Sequence, residues 1–274
     1  MTDFKLSNIG NTQILACTGG VQMIMLVRRS KEYFTDFIKR AAQEHNVKLI
    51  VNGSFTDLSY GAIAAVKFGN NPLEASESKP IGQVIQEGQV IAGSSSPGKF
   101  SFSQVSGVYA YTKTMCGIDR FSVRMGDGPI ATTAAIGGVA PIIIDGLPYG
   151  ETNVYSPGVP AGAPVRGEVD ARYKNYLTQK SNAMYAAILA RGGDVGKTAL
   201  GYSSYSRTLY VLGQADGQAG LDANGIRANF IAKKIDNAVF LDCSDSATLY
   251  FDGKFLIKPG DNKNEFLTVA VGFR

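Results

Sequence analysis

The sequence of 274 residues has no tryptophan, only one histidine and only three cysteines. The histidine, His45, follows an amphipathic segment and is interpreted as a solvated residue at a helix end. Ser-His-Asp catalysis and a multi-histidine zinc site are therefore disfavoured. Cys17, Cys116 and Cys243 lie far apart and show no C-x-x-C spacing. This pattern argues against a disulfide framework.

Long apolar runs and basic blocks are also missing. The most apolar early stretch, Val21–Val27, is far too short to span a bilayer, and Met1–Lys5 does not begin a signal peptide. We therefore expect a soluble protein without a membrane span, located in the cytoplasm or carried by a virus. Lysine and arginine exceed aspartate and glutamate by 27 to 23, but no segment concentrates the excess, so no nucleic-acid partner is predicted. Nothing indicates the oligomeric state.

Hydrophobic residues make up 45% of the chain and glycine contributes 32 residues. This balance is typical of a globular protein with many turns and strand ends. We predict one domain over residues 1–274, with its core at about residues 45–257. The predicted fold class is α+β (mixed α/β), with a largely antiparallel sheet and packed helices.

Apolar periodicity predicts the individual elements. A helix capped by Ser30 is expected to end near His45, with an apolar stripe made of Tyr33, Phe34, Phe37, Ile38, Ala41 and Ala42. Further helices are predicted at Tyr173–Leu189 and Asp222–Lys234, and a surface loop at Tyr149–Pro164. Strands are predicted at Gln13–Thr18, Gln22–Arg28, Val47–Val51, Leu209–Leu212 and Ala238–Leu241.

Three apolar segments end in an acidic residue followed by glycine. The pairs are Glu87-Gly88, Asp145-Gly146 and Asp252-Gly253. An acidic residue and glycine between apolar segments favour a tight turn. We therefore predict a hairpin at each position.

Two predicted strands run directly into polar clusters. Val47–Val51 leads into Asn52-Gly53-Ser54-Phe55-Thr56-Asp57, and Ala238–Leu241 leads into Asp242-Cys243-Ser244-Asp245-Ser246. Ligand sites gather at such strand ends, although ordinary turns also use asparagine and aspartate. With one histidine in the chain, carboxylates are the main acid–base groups, as in glycosidic bond cleavage. The candidates at strand ends are Asp57, Asp216, Asp242 and Asp245.

An ordered set of short motifs resembles the phosphodiester glycosidase family. The matching segments are Asn52-Gly53-Ser54-Phe55, Pro80–Gly88, Pro141–Gly146, Lys197–Gly201, Ala215–Gln218 and Asp242–Thr248. The resemblance implies a mixed α/β fold and hydrolysis of the bond between a sugar's anomeric carbon and a phosphate. The expected partner is a phosphosugar or glycan substrate. No cofactor is required, the metal content is unknown, and the pattern leaves room for a divalent cation.

The resemblance also assigns site residues. Asp242, then Asp216, with Asp245 as a third carboxylate, are the expected catalytic groups. Substrate binding is expected from Asn52, Gly53, Phe55, Lys197, Thr198, Ser246 and Thr248. Cys243, Ser244 and Asp245 replace glycines of the family pattern. This departure motivates an alternative hypothesis, a non-catalytic module on the same fold that binds a glycan or a partner in a virion or cell-surface assembly.

Overall fold

The computed structural model describes residues 2–55, 80–94, 100–105, 120–125, 132–148 and 192–274. The elements in chain order are β1 (Asp3–Ile9), β2 (Thr12–Thr18), β3 (Met23–Val27), α1 (Phe34–Glu44), β4 (Leu49–Asn52), β5 (Val84–Gln86), β6 (Gln89–Ala92), β7 (Phe100–Val105), β8 (Arg120–Met125), β9 (Ala134–Ile144), β10 (Leu147–Pro148), β11 (Lys197–Ser203), β12 (Thr208–Gln214), α2 (Ala223–Ala232), β13 (Asn237–Phe240), a 3₁₀ turn (Ser244–Ser246), β14 (Leu249–Phe251), β15 (Lys254–Ile257), α3 (Asp261–Phe266) and β16 (Val269–Phe273).

The described strands form two antiparallel sheets. The larger sheet has the order β1-β2-β12-β11-β13-β9-β5-β6, with β7 and β10 paired to β9 and β8 paired to β7. The smaller sheet has the order β15-β14-β4-β16-β3. Every strand pair in both sheets is antiparallel.

The prediction of an α+β domain with packed helices is wrong. The described part is mostly β, and its three α-helices have only 11, 10 and 6 residues. The physical reason lies in segments that are apolar on both faces. Every residue of β9 and of β16 is buried, so these runs lack the alternation that marks a strand with one solvated face.

Strand alternation builds three layers. In β3, Met23 and Met25 face the core between the two sheets, whereas Ile24 and Leu26 face a second cluster that contains the buried stripe of α1. Successive side chains of a strand point to opposite faces, so the small sheet lies between the large sheet and α1. That stripe consists of Phe34, Phe37, Ile38 and Ala41.

The outer edge of β3 is closed by side chains of the large sheet. Gln104 Oε1 accepts a hydrogen bond from Met23 N at 2.6 Å, and Gln104 Nε2 donates to Val21 O at 2.7 Å. Gln86 Oε1 accepts from Met25 N at 2.8 Å. Two amide side chains therefore satisfy backbone groups that have no neighbour on this side among the described strands.

Several predictions of local structure are confirmed, although the predicted fold class is wrong. Glu87-Gly88, Asp145-Gly146 and Asp252-Gly253 all have positive φ and join antiparallel strands, which confirms the three hairpins. The end of α1 near His45 is confirmed, and four members of the predicted stripe are buried: Phe34, Phe37, Ile38 and Ala41. Tyr33 is wrong as a member of the stripe, because it precedes the helix and is 38% exposed, and the predicted Ser30 cap is wrong because α1 starts at Phe34.

The second helix has the predicted beginning. Asp222 accepts a hydrogen bond from Gly225 N and caps α2. Ile226 and Phe230 are buried, whereas Ile231 is 46% exposed and does not belong to the buried face. The predicted helix Tyr173–Leu189, the predicted loop Tyr149–Pro164, Cys116 and Asp57 lie outside the described residues.

Candidate active site

The polar clusters predicted after β4 and β13 meet at one place. Asp242 N donates to Gly53 O at 3.0 Å, and Leu241 N donates to Thr198 O at 2.9 Å. The segment after β13 is thereby hydrogen-bonded to β11 of the large sheet and to the end of β4 in the small sheet. Asp242 lies where the two sheets meet.

The side chain of Asn52 holds this junction together. Its Oδ1 accepts hydrogen bonds from Thr198 Oγ1 at 2.7 Å and from Thr248 N at 3.0 Å, and its Nδ2 donates to Asp242 O at 2.8 Å. Asn52, Thr198 and Thr248 are fully buried. The structure brings these three predicted residues together, and in it their side chains bond to protein groups. Their predicted contact with a substrate stays a prediction.

Gly53 and Phe55 are packing residues in this arrangement. A Cβ added at Gly53 would come within 2.4 Å of Val269 Cγ2 and 2.7 Å of Val269 O, so a larger residue does not fit without a shift of β16. Phe55 is buried in the core, and its carbonyl oxygen accepts a hydrogen bond from Ile81 N at 2.8 Å. Gly53 therefore allows β16 to approach the backbone that accepts the hydrogen bond from Asp242 N, and Phe55 anchors the end of the same segment in the core.

The carboxyl group of Asp242 is buried, with 7% of the residue exposed. Its Oδ1 accepts a hydrogen bond from Cys243 N at 3.0 Å. Burial raises the pKa of Asp242 to about 6, against the opposing effects of Lys263, the Ser246 hydroxyl and Cys243 N, while Asp245 adds to the rise. A carboxyl group with this pKa exchanges protons near neutral pH.

Ser246 supplies a buried hydroxyl beside Asp242. The hydroxyl is close enough to lower the pKa of Asp242, yet its Oγ has no hydrogen bond of regular geometry to any described group. The Oγ of Ser54, next to Gly53, is likewise buried without such a partner in the described part. Two hydroxyls near the sheet junction thus retain unused hydrogen-bonding capacity.

Lys263 is the residue that the sequence analysis missed. Its Nζ lies 3.8 Å from Asp245 Oδ1, and its charge lowers the pKa of Asp242. Gly260 N, at the start of α3, donates to Asp245 O at 2.7 Å, so α3 is joined to the turn that carries Asp245. The site therefore combines two carboxylates with a partly exposed ammonium group.

A signal for α3 was present in the sequence. Gly260 followed by Asp261 is a recognisable helix start, with an acidic residue in the first turn. The pairing of Lys263 with Asp245 had no such local signal.

Asp216 and Lys197 form a separate group. Asp216 is exposed, and its Oδ1 accepts a hydrogen bond from Gly196 N at 2.7 Å. Lys197 is fully buried, and its Nζ donates to Val195 O at 2.7 Å and Gly192 O at 3.1 Å. Burial lowers the pKa of Lys197. Lys197 and Thr198 are consecutive in β11, so their side chains leave the sheet on opposite faces.

This second group still contacts the loop of the first. Ser244 N donates to Gly196 O at 2.7 Å, and a Cβ added at Gly196 would lie 2.1 Å from Ser244 O. Lys197 and Asp216 also act electrostatically on Cys243, whose thiol has its pKa raised to about 12 by burial. Gly196 thus links Asp216 to Ser244 through its own N–H and carbonyl groups. Lys263, by contrast, acts electrostatically on Asp242.

Within the described ranges, no three His, Cys, Asp or Glu side chains cluster as a metal ion would require. No helix in those ranges is long and apolar enough to cross a membrane.

The fold resembles those of known structures. The catalytic domain of zebrafish N-acetylglucosamine-1-phosphodiester alpha-N-acetylglucosaminidase, auto-inhibited by its pro-peptide, aligns with 100% of this chain and 83% of its own, at 14% identity and a TM-score of 0.59. A candidate exported protein from Burkholderia pseudomallei aligns with 96% of this chain and 73% of its own, at 14% identity and a TM-score of 0.53. No family model and no curated protein matches the sequence. At these identities the likeness shows a shared fold.

Proposed function

We propose that this chain hydrolyses the glycosidic bond between the anomeric carbon of a sugar and a phosphate. The observation that carries the proposal is the buried Asp242 carboxyl, whose pKa is raised to about 6 and which feels the charges of Asp245 and Lys263. Lys263 and Asp245 themselves lie 3.8 Å apart. The fold shared with an enzyme named for a sugar 1-phosphodiester supports the choice of bond. The ordered motifs of the sequence agree with it.

Asp242 is the group best suited to proton transfer. In its ionised form it accepts a proton from the attacking water while the water oxygen bonds to the anomeric carbon. The bond between that carbon and the phosphate oxygen breaks, and the phosphate leaves with the electron pair. Asp242 then releases the proton to solvent. Its raised pKa makes this cycle effective near neutral pH.

Asp245 and Lys263 stabilise the charges that develop. A carboxylate beside the reacting carbon stabilises its oxocarbenium-like character, which is the role proposed for Asp245. The departing phosphate gains negative charge, and Lys263 can bind it by exchanging its contact with Asp245, 3.8 Å away, for one with a phosphate oxygen. Lys263 also offsets the negative charge that Asp245 brings to a site for an anion.

Asn52, Thr198 and Thr248 act as positioning residues in this proposal. Their hydrogen bonds fix the backbone carbonyl of Asp242 and the approach of both sheets to it. Asp216 and Lys197 act one layer further away, through Gly196 and the loop at 192–195. The predicted contact of Lys197 with phosphate would require that loop to open.

The alternative is a glycan-binding module without turnover. It is favoured by the burial of Asn52, Thr198 and Thr248, whose polar atoms are already engaged with each other or with the backbone. In this case the sheet junction is a structural element and the fold has kept only its binding capacity.

The deciding experiment follows the release of free sugar from a methyl phosphodiester of N-acetylglucosamine 1-phosphate, and from a panel of other sugar 1-phosphodiesters. The wild type is expected to release sugar, and Asp242→Asn is expected not to. Asp252→Asn, an exposed aspartate in a turn, is the matched control and should behave as the wild type. Absence of release from the whole panel by the wild type rejects the enzyme proposal. Glycan binding that survives Asp242→Asn without turnover supports the alternative.

A further inference from the structure

A cavity of about 390 Å³ opens at the other end of β11 and β13. It is lined by Tyr202, at the far end of β11, and by Asn237, at the start of β13, which pair with each other in register. Tyr202 is four positions beyond Thr198 along the strand, a distance of about 13 Å. This cavity is therefore distinct from the site around Asp242.

The floor of the cavity is aromatic. Phe121 and Tyr202 are buried, with ring centroids 5.1 Å apart and planes inclined by 49°. Phe102 stacks on Phe121 from the side of the core, with centroids 5.5 Å apart. Packed rings of this kind present a rigid apolar surface to whatever occupies the cavity.

Asn237 fixes the wall above this floor. Its Oδ1 accepts hydrogen bonds from Val123 N and Asp145 N, each at 3.2 Å, and so links β13 to β8 and to the turn after β9. Its Nδ2 makes no hydrogen bond within the described part. The Oδ1 of Asn237 thus holds the wall in place, and its Nδ2 is the candidate donor to a bound molecule.

The rim carries further donors and acceptors. Asp236 Oδ2 accepts from Ser204 N, which leaves the Oδ1 of the same carboxylate without a partner among the described groups. Arg124 and Asp145 also line the cavity, and their charged groups form no ion pair or side-chain hydrogen bond with described residues. A guanidinium, an amide and two carboxylates therefore line the same cavity as the two aromatic rings.

We propose that this cavity binds a pyranose sugar that carries no acidic group. Its volume falls in the range of small-molecule sites. Sugar hydroxyls both donate and accept hydrogen bonds, which suits a rim with both kinds of group. The apolar C–H face of a pyranose suits the Phe121–Tyr202 floor. Two carboxylates against one guanidinium leave a net negative rim, which disfavours a phosphate. The proposal does not depend on the activity proposed above.

The proposed sugar site is tested by saturation-transfer NMR with glucose, glucosamine and glucose 1-phosphate. The measurement is made on the wild type and on Asp145→Asn. Asp145 has φ 49°, a conformation that asparagine tolerates, so this change removes the charge and keeps the turn. Asp252→Asn, in a second turn with φ 48°, is the matched control.

Glucose and glucosamine are expected to bind saturably, and glucose 1-phosphate more weakly at this cavity. Asp145→Asn should weaken glucosamine binding about tenfold, as expected for a lost charge-assisted hydrogen bond, and Asp252→Asn should not. Absence of saturable binding by all three sugars overturns the proposal. So does binding that is lost in Asp242→Asn but kept in Asp145→Asn, because the sugar would then occupy the other end of the strands.

Discussion

Two pairs of one aspartate and one lysine act on the segment that follows β13, and their patterns of burial are opposite. In one group the carboxylate of Asp242 is buried and Lys263 is partly exposed. In the other group Lys197 is buried and the carboxylate of Asp216 is exposed. The pKa of the buried member is shifted toward neutrality in each case, upward for Asp242 and downward for Lys197.

The difference lies in what surrounds the buried member. Two backbone carbonyls accept hydrogen bonds from the Lys197 ammonium, so the loop at 192–195 holds it in place. The Asp242 carboxyl accepts one regular hydrogen bond among the described groups, from Cys243 N, and its pKa is lowered by the Ser246 hydroxyl and the Lys263 charge. A buried group with spare capacity is suited to chemistry, and one fully engaged by the backbone is suited to structure.

The largest expected effect compares the two carboxylates directly. Asp242→Asn should lower kcat/KM for a sugar 1-phosphodiester about a thousandfold, because it removes the proton acceptor. Asp216→Asn should lower it less than about tenfold, because Asp216 acts only through Gly196. Steady-state kinetics of both variants give the ratio. Equal losses would mean that the two groups share one catalytic task.

The next effect concerns the junction that holds Asp242. Asn52→Ala should lower the free energy of unfolding by about 3 kcal/mol, because Thr198 Oγ1, Thr248 N and Asp242 O lose their partner. Asn8→Ala, at an exposed position of β1, should change it by less than about 0.5 kcal/mol. Urea unfolding of both variants measures the difference. A small loss in Asn52→Ala would show that the junction is not a stabilising element.

Lys263 provides a sharper test of the catalytic group. Lys263→Met should lower kcat/KM for a phosphodiester about a hundredfold, as expected for loss of a group that stabilises transition-state charge. It should also move the acidic limb of the pH–rate profile upward, because Lys263 lowers the pKa of Asp242. Lys254→Met, an exposed lysine of β15, should do neither. An unmoved acidic limb would contradict the placement of Lys263 beside Asp242.

The smallest effect is a pH dependence of stability. The pKa of Asp242 is raised from 3.8 to about 6 in the folded chain, so the folded state keeps this proton to higher pH than the unfolded state. The stabilisation from the protonated group is complete below about pH 4 and is lost as the pH rises through 6. From pH 5 to pH 8 the wild type should therefore lose about 1 kcal/mol of stability relative to Asp242→Asn. Denaturant titrations of both proteins at these two pH values measure this, and parallel curves would contradict the raised pKa.

Local chemistry made part of the fold predictable. Glu87-Gly88, Asp145-Gly146 and Asp252-Gly253 identify turns because each residue pair must itself adopt positive φ. The buried residues of α1 could be predicted because their helical spacing is a property of one segment. The fold class could not be predicted in this way, because β9 and β16 are buried on both faces and show no alternation of apolar and polar residues.

The site was predictable only in outline. Asp242 and Asn52 were found because each follows a strand, but their hydrogen bond joins residues 190 positions apart. Lys263 was missed because its contact with Asp245 depends on where α3 folds back against the 3₁₀ turn. Contacts between residues so far apart in the sequence depend on how separate elements pack together. No single segment encodes that packing.

The side chains of Gln86 and Gln104 at the edge of β3 have a consequence for self-association. An open edge strand as apolar as Met23–Val27 is a template on which a second chain can add a strand and start a fibre. The two amides occupy the very N–H groups that such a strand would need. They come from β5 and β7, so a nascent chain exposes this edge until β5 and β7 have packed against it. Aggregation during synthesis is therefore expected to depend on how fast β5 and β7 dock on this edge and on how fast β16 pairs with the other edge of β3.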